Sequence, residues 1–102
     1  MPPAPRLTEA EIATRLGTVR NWRRDGETIV KAFHFRDFME ALRFVQRVAE
    51  PAEEQNHHPD VAIHWNEVTL SLWTHASGGI TERDFRLAAS IDALTEDQDA
   101  ET

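Results

Sequence analysis

Residues 56–75 read NHHPDVAIHWNEVTLSLWTH, and this stretch decides the fold. From Val68 onward, apolar side chains alternate with polar ones or tryptophan, which is typical of a strand with one buried face. A second run, residues 61–65, precedes it across Asn66-Glu67. We therefore expect an antiparallel hairpin with strands over 61–65 and 68–75, in which Trp73 and His75 face away from the core.

Three other segments have the period and the end signals of helices. The first, residues 8–16, begins with Thr8 and Glu11, the two partners of a capping box. The second, residues 35–50, repeats apolar residues at spacings of three and four, and Pro51 is expected to end it. Its apolar stripe comprises Phe35, Phe38, Met39, Leu42, Val45 and Ala49, widened by Phe44 and Val48. The extra width fits either a subunit contact or a broad face against the core.

The last helix and another hairpin complete the order of elements. Thr81 and Asp84 predict a capping box for the last helix, and Asp25-Gly26 predicts a two-residue turn within residues 22–34. We expect an α+β fold, α-β-β-α-β-β-α, with a four-stranded antiparallel sheet covered on one face by three helices. A single domain would span residues 7–94, with flexible tails at 1–6 and 95–102.

Composition and charge exclude several classes of function. The 102 residues contain no cysteine, which excludes disulfides, thiolate catalysis and cysteine-bound metals. The net charge of -7 disfavours a nucleic-acid partner. No apolar run approaches the ~18 residues of a membrane span, and the N-terminus has no signal-peptide core. We therefore expect a cytoplasmic protein without membrane contact.

Histidines are concentrated around the predicted hairpin of residues 61–75. Because the hairpin folds back on itself, His57 and His58 before it and His75 after it should meet at one edge of the sheet. Asp84 can reach the same edge and hold one imidazole in a chosen tautomer. Imidazole is the side chain that titrates near neutral pH, so the cluster favours proton-transfer chemistry. A single histidine at a strand end is usually only solvated. The expected meeting of several histidines and one carboxylate is what favours a functional site.

A metal centre is the main alternative for such a cluster. Imidazoles with a carboxylate can bind zinc. However, no histidine pair has the helical i, i+4 spacing of a zinc protease, and neighbouring histidines on extended backbone diverge. We therefore expect no metal. Ser71 and Ser77 lack the turn of a catalytic nucleophile, and Gly78-Gly79 is too short to cradle a phosphate.

The spacing of the candidate residues resembles the signature of the pterin-4a-carbinolamine dehydratase family. The matching pattern is Glu53-x-x-x-His57-His58-Pro59, followed at fixed intervals by Trp65, His75 and Asp84. The resemblance implies the same α-β-β-α-β-β-α fold. It also implies an enzyme, a 4a-hydroxytetrahydrobiopterin dehydratase, that needs no cofactor or metal. Its substrate would be a 4a-hydroxytetrahydropterin, released by an aromatic amino acid hydroxylase and dehydrated to quinonoid dihydropterin in tetrahydrobiopterin recycling.

The resemblance also implies roles for individual residues. By this comparison His57 and His75 are the acid–base histidines, His58 contacts substrate and Asp84 orients the site. Glu53 has a structural role. The predicted catalytic residues are thus His57, His58, His75 and Asp84, and the predicted substrate contacts are His57, His58, Asn56, Pro59 and Trp65. Asn56 stands where some better-known members have an acidic residue.

The family further implies homo-oligomers and a second type of function. Dimers would join sheets edge to edge, and tetramers would form through a helix bundle. The alternative to the enzyme is a non-catalytic module on the same fold, either a dimerisation cofactor of transcription factors or an assembly factor for another enzyme.

Overall fold

A computed structural model describes residues 3–95 and confirms the predicted order of elements. Its helices are α1 (Glu9–Leu16), α2 (Phe38–Glu54) and α3 (Glu82–Leu94), and its strands are β1 (Arg23–Asp25), β2 (Thr28–His34), β3 (Asp60–His64) and β4 (Glu67–Leu72). The strands form one antiparallel sheet in the order β1-β2-β4-β3. No helix within these residues is long and apolar enough to cross a membrane.

The core lies between one face of the sheet and the three helices. Strand β4 is central, and its Val68, Leu70 and Leu72 are all 0% exposed, as their alternation predicts. Ile29 and Phe33 extend the same face on β2. The helices contribute, among others, Ile12, Phe44, Val48, Phe85, Leu87 and Ile91. Within residues 3–95, no helix packs on the opposite face of the sheet. The histidine cluster lies where β3 begins and β4 ends.

Helix α2 differs from the prediction at both ends and in its buried face. It begins at Phe38, because Asp37 caps it by accepting a hydrogen bond from the Glu40 N–H at 2.8 Å. Pro51 does not end it, and the helix continues to Glu54. Proline removes one backbone hydrogen bond, but the following Ala52 is 2% exposed, and its burial in the core holds the last turn.

The buried stripe of α2 is centred on residues that the sequence pattern placed at the side of the predicted apolar stripe. The buried positions are Ala41, Phe44, Val48 and Ala52. Phe38 and Met39, which were expected to face the core, are 48% and 54% exposed. Two apolar stripes lie side by side on this helix, and periodicity alone does not show which of them the sheet covers.

The end of α2 positions His57 in the histidine cluster. The His57 N–H donates to the Ala52 carbonyl at 2.9 Å, and the Asn56 N–H donates to the Glu53 carbonyl at 3.1 Å. These two bonds form a Schellman motif, which requires a left-handed residue after the helix cap. Asn56 has that conformation, with φ of 49°. Asparagine adopts it more readily than most residues, which gives a structural reason for Asn56.

Both hairpin turns lie one residue away from their predicted positions. His64 pairs with Glu67, so the loop between β3 and β4 is Trp65-Asn66 rather than Asn66-Glu67. Trp65 takes a left-handed φ of 56° there. The Asn66 side-chain amide donates to the Phe35 carbonyl at 2.9 Å, and this bond anchors Asn66 inside the turn.

The first hairpin shows the same shift. Asp25 pairs with Thr28, so its loop is Gly26-Glu27 rather than Asp25-Gly26. Gly26 supplies the positive φ of 62° that this tight turn requires.

The chain leaves β4 earlier than expected. The strand ends at Leu72, and His75–Ser77 form a 3₁₀ turn. The Thr74 N–H donates to the Gly79 carbonyl at 2.9 Å, and Gly78 closes the turn with a left-handed φ of 70°. His75 is therefore carried by a tight turn and not by the strand.

The chain before α1 contacts the turn that follows β4. The Leu7 N–H donates to the Ile80 carbonyl at 3.0 Å, and the Ser77 hydroxyl donates to the Ala4 carbonyl. Part of the segment expected to be a flexible tail is thus in contact with the domain from Ala4 onward. Thr95, expected in the other tail, is 5% exposed and caps α3 by donating its N–H to the Asp92 carbonyl at 3.1 Å. Residues 1–2 and 96–102 of the two predicted tails lie outside the described residues.

The left-handed position at the end of α2 gives a stability prediction. Asn56→Ala should lower the free energy of unfolding by about 1 kcal/mol, because alanine lacks the short polar side chain that lets asparagine tolerate positive φ. Asn56→Gly should cost nothing measurable. Urea unfolding of the three proteins tests this, and equal losses for both variants would contradict the role of the backbone conformation.

Candidate active site

A cavity of about 310 Å³ opens at the sheet edge where β3 begins and β4 ends. This volume lies within the range of small-molecule sites, about 300 to 1,000 Å³. The cavity, called the histidine pocket below, is lined by Asn56, His57, His58, Pro59, Asp60, Trp73, Thr74, His75, Ala76 and Arg83. The fold thus brings together three histidines from two separate parts of the chain.

His57 and Asp84 form a close buried pair. The Nε2 atom of His57 lies 2.5 Å from Oδ1 of Asp84, and the two residues are 6% and 0% exposed. Asp84 belongs to the first turn of α3, whereas His57 follows the end of α2. Two helix ends therefore meet through one histidine–carboxylate contact at the floor of the pocket.

Two further donors surround the Asp84 carboxylate. Its Oδ2 accepts the Thr81 N–H at 2.8 Å, as predicted for the capping box, and the Thr74 hydroxyl at 3.0 Å. The Thr74 and Thr81 hydroxyls lie 2.7 Å apart. A buried carboxylate is costly unless its lone pairs are occupied. Here the Thr81 backbone N–H and the Thr74 hydroxyl occupy those of Oδ2, and His57 contacts Oδ1, which fixes Asp84 in place.

This arrangement sets the tautomer of His57. Because the carboxylate accepts, the neutral imidazole carries its proton on Nε2. The Nδ1 atom has no hydrogen-bond partner among the described residues, and the ring lines the pocket. His57 can therefore take a proton at Nδ1 from a bound molecule, and Asp84 stabilises the imidazolium that results.

The other two histidines are less constrained. The Nε2 atom of His58 lies 3.4 Å from Oε2 of Glu53, and both side chains are exposed. His75 is exposed at the start of its 3₁₀ turn, and its ring stacks on the indole of Trp73. Both rings are open to solvent and can exchange protons with it directly, unlike the buried ring of His57.

Arg83 is a pocket residue that the sequence analysis missed. Its guanidinium donates to the Asn56 carbonyl at 2.7 Å and to the Gln55 carbonyl at 3.3 Å. It therefore ties the first turn of α3 to the loop that carries His57. A basic residue next to the predicted Asp84 is the only signal of this role in the sequence.

The structure does not bring Trp65 to the histidine pocket. Trp65 lies at the tip of the β3–β4 hairpin and is 70% exposed. At ~3.3 Å per residue along β3, it is roughly 16 Å from Asp60 at the pocket. His34 and His64 lie at the same distant end, where both are paired with Glu67 in the sheet. Among the described residues, no three histidine or acidic side chains are placed to share one metal ion.

The Asp84 network gives a prediction about Thr74. Thr74→Val removes one of the two donors to Oδ2 and should destabilise the protein by about 1 to 3 kcal/mol, the cost of an unmet buried hydrogen bond. Thr74→Ser keeps the hydroxyl and should cost clearly less. Urea unfolding compares the two variants, and a loss for serine as large as that for valine would contradict the hydrogen bond's contribution.

Comparison with known proteins supports the resemblance found in the sequence. The family model described as pterin 4 alpha carbinolamine dehydratase matches residues 5–94. A protein of Thermomicrobium roseum named "Putative pterin-4-alpha-carbinolamine dehydratase" is 49% identical over 89 residues, which are 87% of this chain and 96% of that protein. A protein of the same name from Roseiflexus sp. is 50% identical over 91 residues, 89% of this chain and 98% of that protein.

Solved structures show the same relationship. A transcriptional coactivator/pterin dehydratase from Brucella melitensis superposes with a TM-score of 0.83 at 35% identity, over 87% of this chain and 97% of that one. A pterin dehydratase-like protein identified as a RuBisCO assembly factor in the alpha-carboxysome gives 0.63 at 28% identity, over 76% and 92%. On these sequence and structural matches together, the chain belongs to the pterin 4 alpha carbinolamine dehydratase family.

Proposed function

We propose that this protein dehydrates a 4a-hydroxytetrahydropterin to quinonoid dihydropterin. The observation that carries the proposal is the His57–Asp84 pair at 2.5 Å, which lies in a pocket that His58 and His75 also line. A dehydration needs one group to accept a proton and another to donate one. The pocket has a buried imidazole with a fixed tautomer and two accessible imidazoles, which meet both requirements.

The proposed reaction moves two protons and breaks one carbon–oxygen bond. Nδ1 of His57 accepts the proton from N5 of the pterin, and the nitrogen's electron pair forms the N5=C4a double bond. The C4a hydroxyl leaves as water after it receives a proton from protonated His75. Asp84 stabilises the His57 imidazolium, and solvent that enters the pocket after the product leaves returns both histidines to their starting states. Each such proton transfer is worth about 100- to 10,000-fold in rate.

The remaining pocket residues suit a role in substrate binding. His58 has one ring nitrogen near Glu53 and can donate or accept a hydrogen bond with the other. Pro59 and Asn56 complete the wall beside it. We propose that these residues orient the flat bicyclic ring. The physiological source of substrate would be an aromatic amino acid hydroxylase, which places the enzyme in tetrahydrobiopterin recycling.

The dehydratase proposal predicts the behaviour of single-histidine variants. His57→Ala and His75→Ala should each lower kcat by about 100-fold or more, since each removes one proton-transfer group. His64→Ala is the matched control, because His64 lies at the far end of the hairpin, and it should keep full activity. Stopped-flow decay of a 4a-hydroxytetrahydropterin measures the rates. Wild-type protein that decays the substrate no faster than buffer would refute the proposal.

We also propose that the protein forms homo-oligomers, as dimers or tetramers. Strand β3 is an edge strand, and its Val61 is 43% exposed, so two sheets can join there. Phe38 and Met39 leave an apolar stripe on α2 uncovered, which suits a helix bundle between dimers.

The exposed stripe of α2 can be tested by sedimentation. If it forms a bundle, Met39→Glu should convert tetramers to dimers, because a charge in an apolar interface is unfavourable. Glu50→Gln, at an exposed position near the other end of α2, is the control and should leave the mass unchanged. Tetramers that persist in Met39→Glu would contradict the bundle, and a monomeric wild type would contradict both interfaces.

A binding or assembly module is the second candidate. It is favoured by the likeness to the protein identified as a RuBisCO assembly factor and by the exposed apolar residues of α2. Such a function predicts a stoichiometric partner that co-purifies equally with wild-type protein and His57→Ala but not with Met39→Glu. The dehydratase alone predicts no such partner.

A further inference from the structure

The three histidines of the pocket are held in three different ways. His57 and His58 each lie beside a carboxylate. The His75 ring, in contrast, has no hydrogen bond or ion pair within residues 3–95. Its ring contact is with Trp73: the ring centroids are 3.9 Å apart and the planes are inclined by 30°. The group proposed to protonate the leaving hydroxyl is thus held by a stacking interaction.

Trp73 is itself fixed from the neighbouring strand. Its Nε1 donates to Oδ2 of Asp60 at 3.2 Å. Asp60 pairs with Ser71 across β3 and β4, so Trp73, two residues further on, is its diagonal neighbour on the same face of the sheet. Asp60 and Trp73 both line the histidine pocket. The indole is therefore held at one end by Asp60 and covers His75 with its face.

Stacking leaves the reactive atoms of His75 accessible. Both ring nitrogens lie in the plane of the imidazole, so an indole against one face blocks neither of them. The electron-rich indole face also accommodates the ring when it carries a positive charge. The contact can therefore restrict the orientation of His75 in both charge states without competing for its proton.

We propose that Asp60 and Trp73 are positioning residues that fix His75 for proton transfer. The proposal builds on the dehydratase function, because it assigns the pair to the delivery of a proton by His75. Catalysis by a general acid requires its donor atom to be within hydrogen-bond reach in the right orientation. A ring on an exposed turn needs a fixed neighbour to achieve this, and the Asp60–Trp73 pair is that neighbour.

Nuclear magnetic resonance of the histidine ring protons tests the contact without reference to activity. The indole ring current should shift the His75 ring-proton resonances in the wild type. Trp73→Leu should move them towards the values of an unstacked histidine, and Asp60→Ala should move them part of the way. Trp65→Leu, which removes an indole at the distant hairpin tip, is the control and should leave them unchanged. Unchanged resonances in both Trp73→Leu and Asp60→Ala would overturn the proposal.

Kinetics then test the consequence for the reaction. Trp73→Leu should lower kcat about three- to tenfold, the range expected from loss of one aromatic contact, and should change KM little. Trp73→Phe should recover part of the rate because it restores an aromatic face. The kcat of Asp60→Asn should be higher than that of Asp60→Ala, because asparagine retains an acceptor for the indole N–H. A loss confined to KM, or an unchanged kcat despite shifted resonances, would overturn the positioning role.

The two experiments separate this proposal from the dehydratase proposal. If the wild type does not dehydrate the pterin, the proposed function fails and the catalytic role of the pair fails with it. The resonances of His75 would still show whether Trp73 fixes the ring. If Trp73→Leu does not fold, Asp60→Ala decides, because Asp60 is exposed and its removal leaves the core intact.

Discussion

The buried carboxylate of Asp84 is the interaction on which the pocket depends. Asp84 is 0% exposed and accepts from His57, Thr74 and Thr81. These residues come from the end of α2, the end of β4 and the start of α3. A buried charge is costly unless it is paired and hydrogen-bonded, and the loss of any of these donors should raise that cost. One carboxylate therefore fixes three chain segments relative to one another and fixes the tautomer of the buried histidine.

The same constraint gives a physical reason for dividing the proposed chemistry among unlike histidines. The ring bonded to Asp84 is rigid and shielded from water, whereas the ring on the 3₁₀ turn is exposed and held by stacking. A proton acceptor benefits from a stabilised cation, and a proton donor benefits from contact with solvent that reprotonates it. The fold supplies both environments because His57 follows the end of α2, whereas His75 lies in the 3₁₀ turn that follows β4.

The fold was predictable to the extent that local rules act alone. Capping boxes at Thr8 and Thr81 and the alternation of Val68, Leu70 and Leu72 were read correctly, since they depend on residues close in sequence. The predicted end of α2 at Pro51 was wrong, because the burial of Ala52 outweighs the tendency of proline to end a helix. The choice between two apolar stripes on α2 also depended on tertiary contacts, which periodicity does not contain.

The candidate site was predictable in composition but not in geometry. The spacing placed three histidines and Asp84 at one sheet edge, and the structure brings them together there. The spacing did not show that Arg83 holds the loop before His57 or that Asp60 anchors Trp73, because both contacts form between distant segments. Trp65 fits the family spacing but lies at the hairpin tip, a full strand length away from Asp60 at the pocket.

The hydrogen bond between His57 and Asp84 can be measured directly by long-range ¹H–¹⁵N correlation of the histidine rings. The neutral His57 ring should be the Nε2–H tautomer in wild-type protein, with a downfield, slowly exchanging proton. In Asp84→Ala that proton should exchange rapidly. A wild-type His57 in the Nδ1–H tautomer, or one whose Nε2 proton exchanges as fast as that of exposed His64, would contradict a buried carboxylate that orients the imidazole proposed as the proton acceptor.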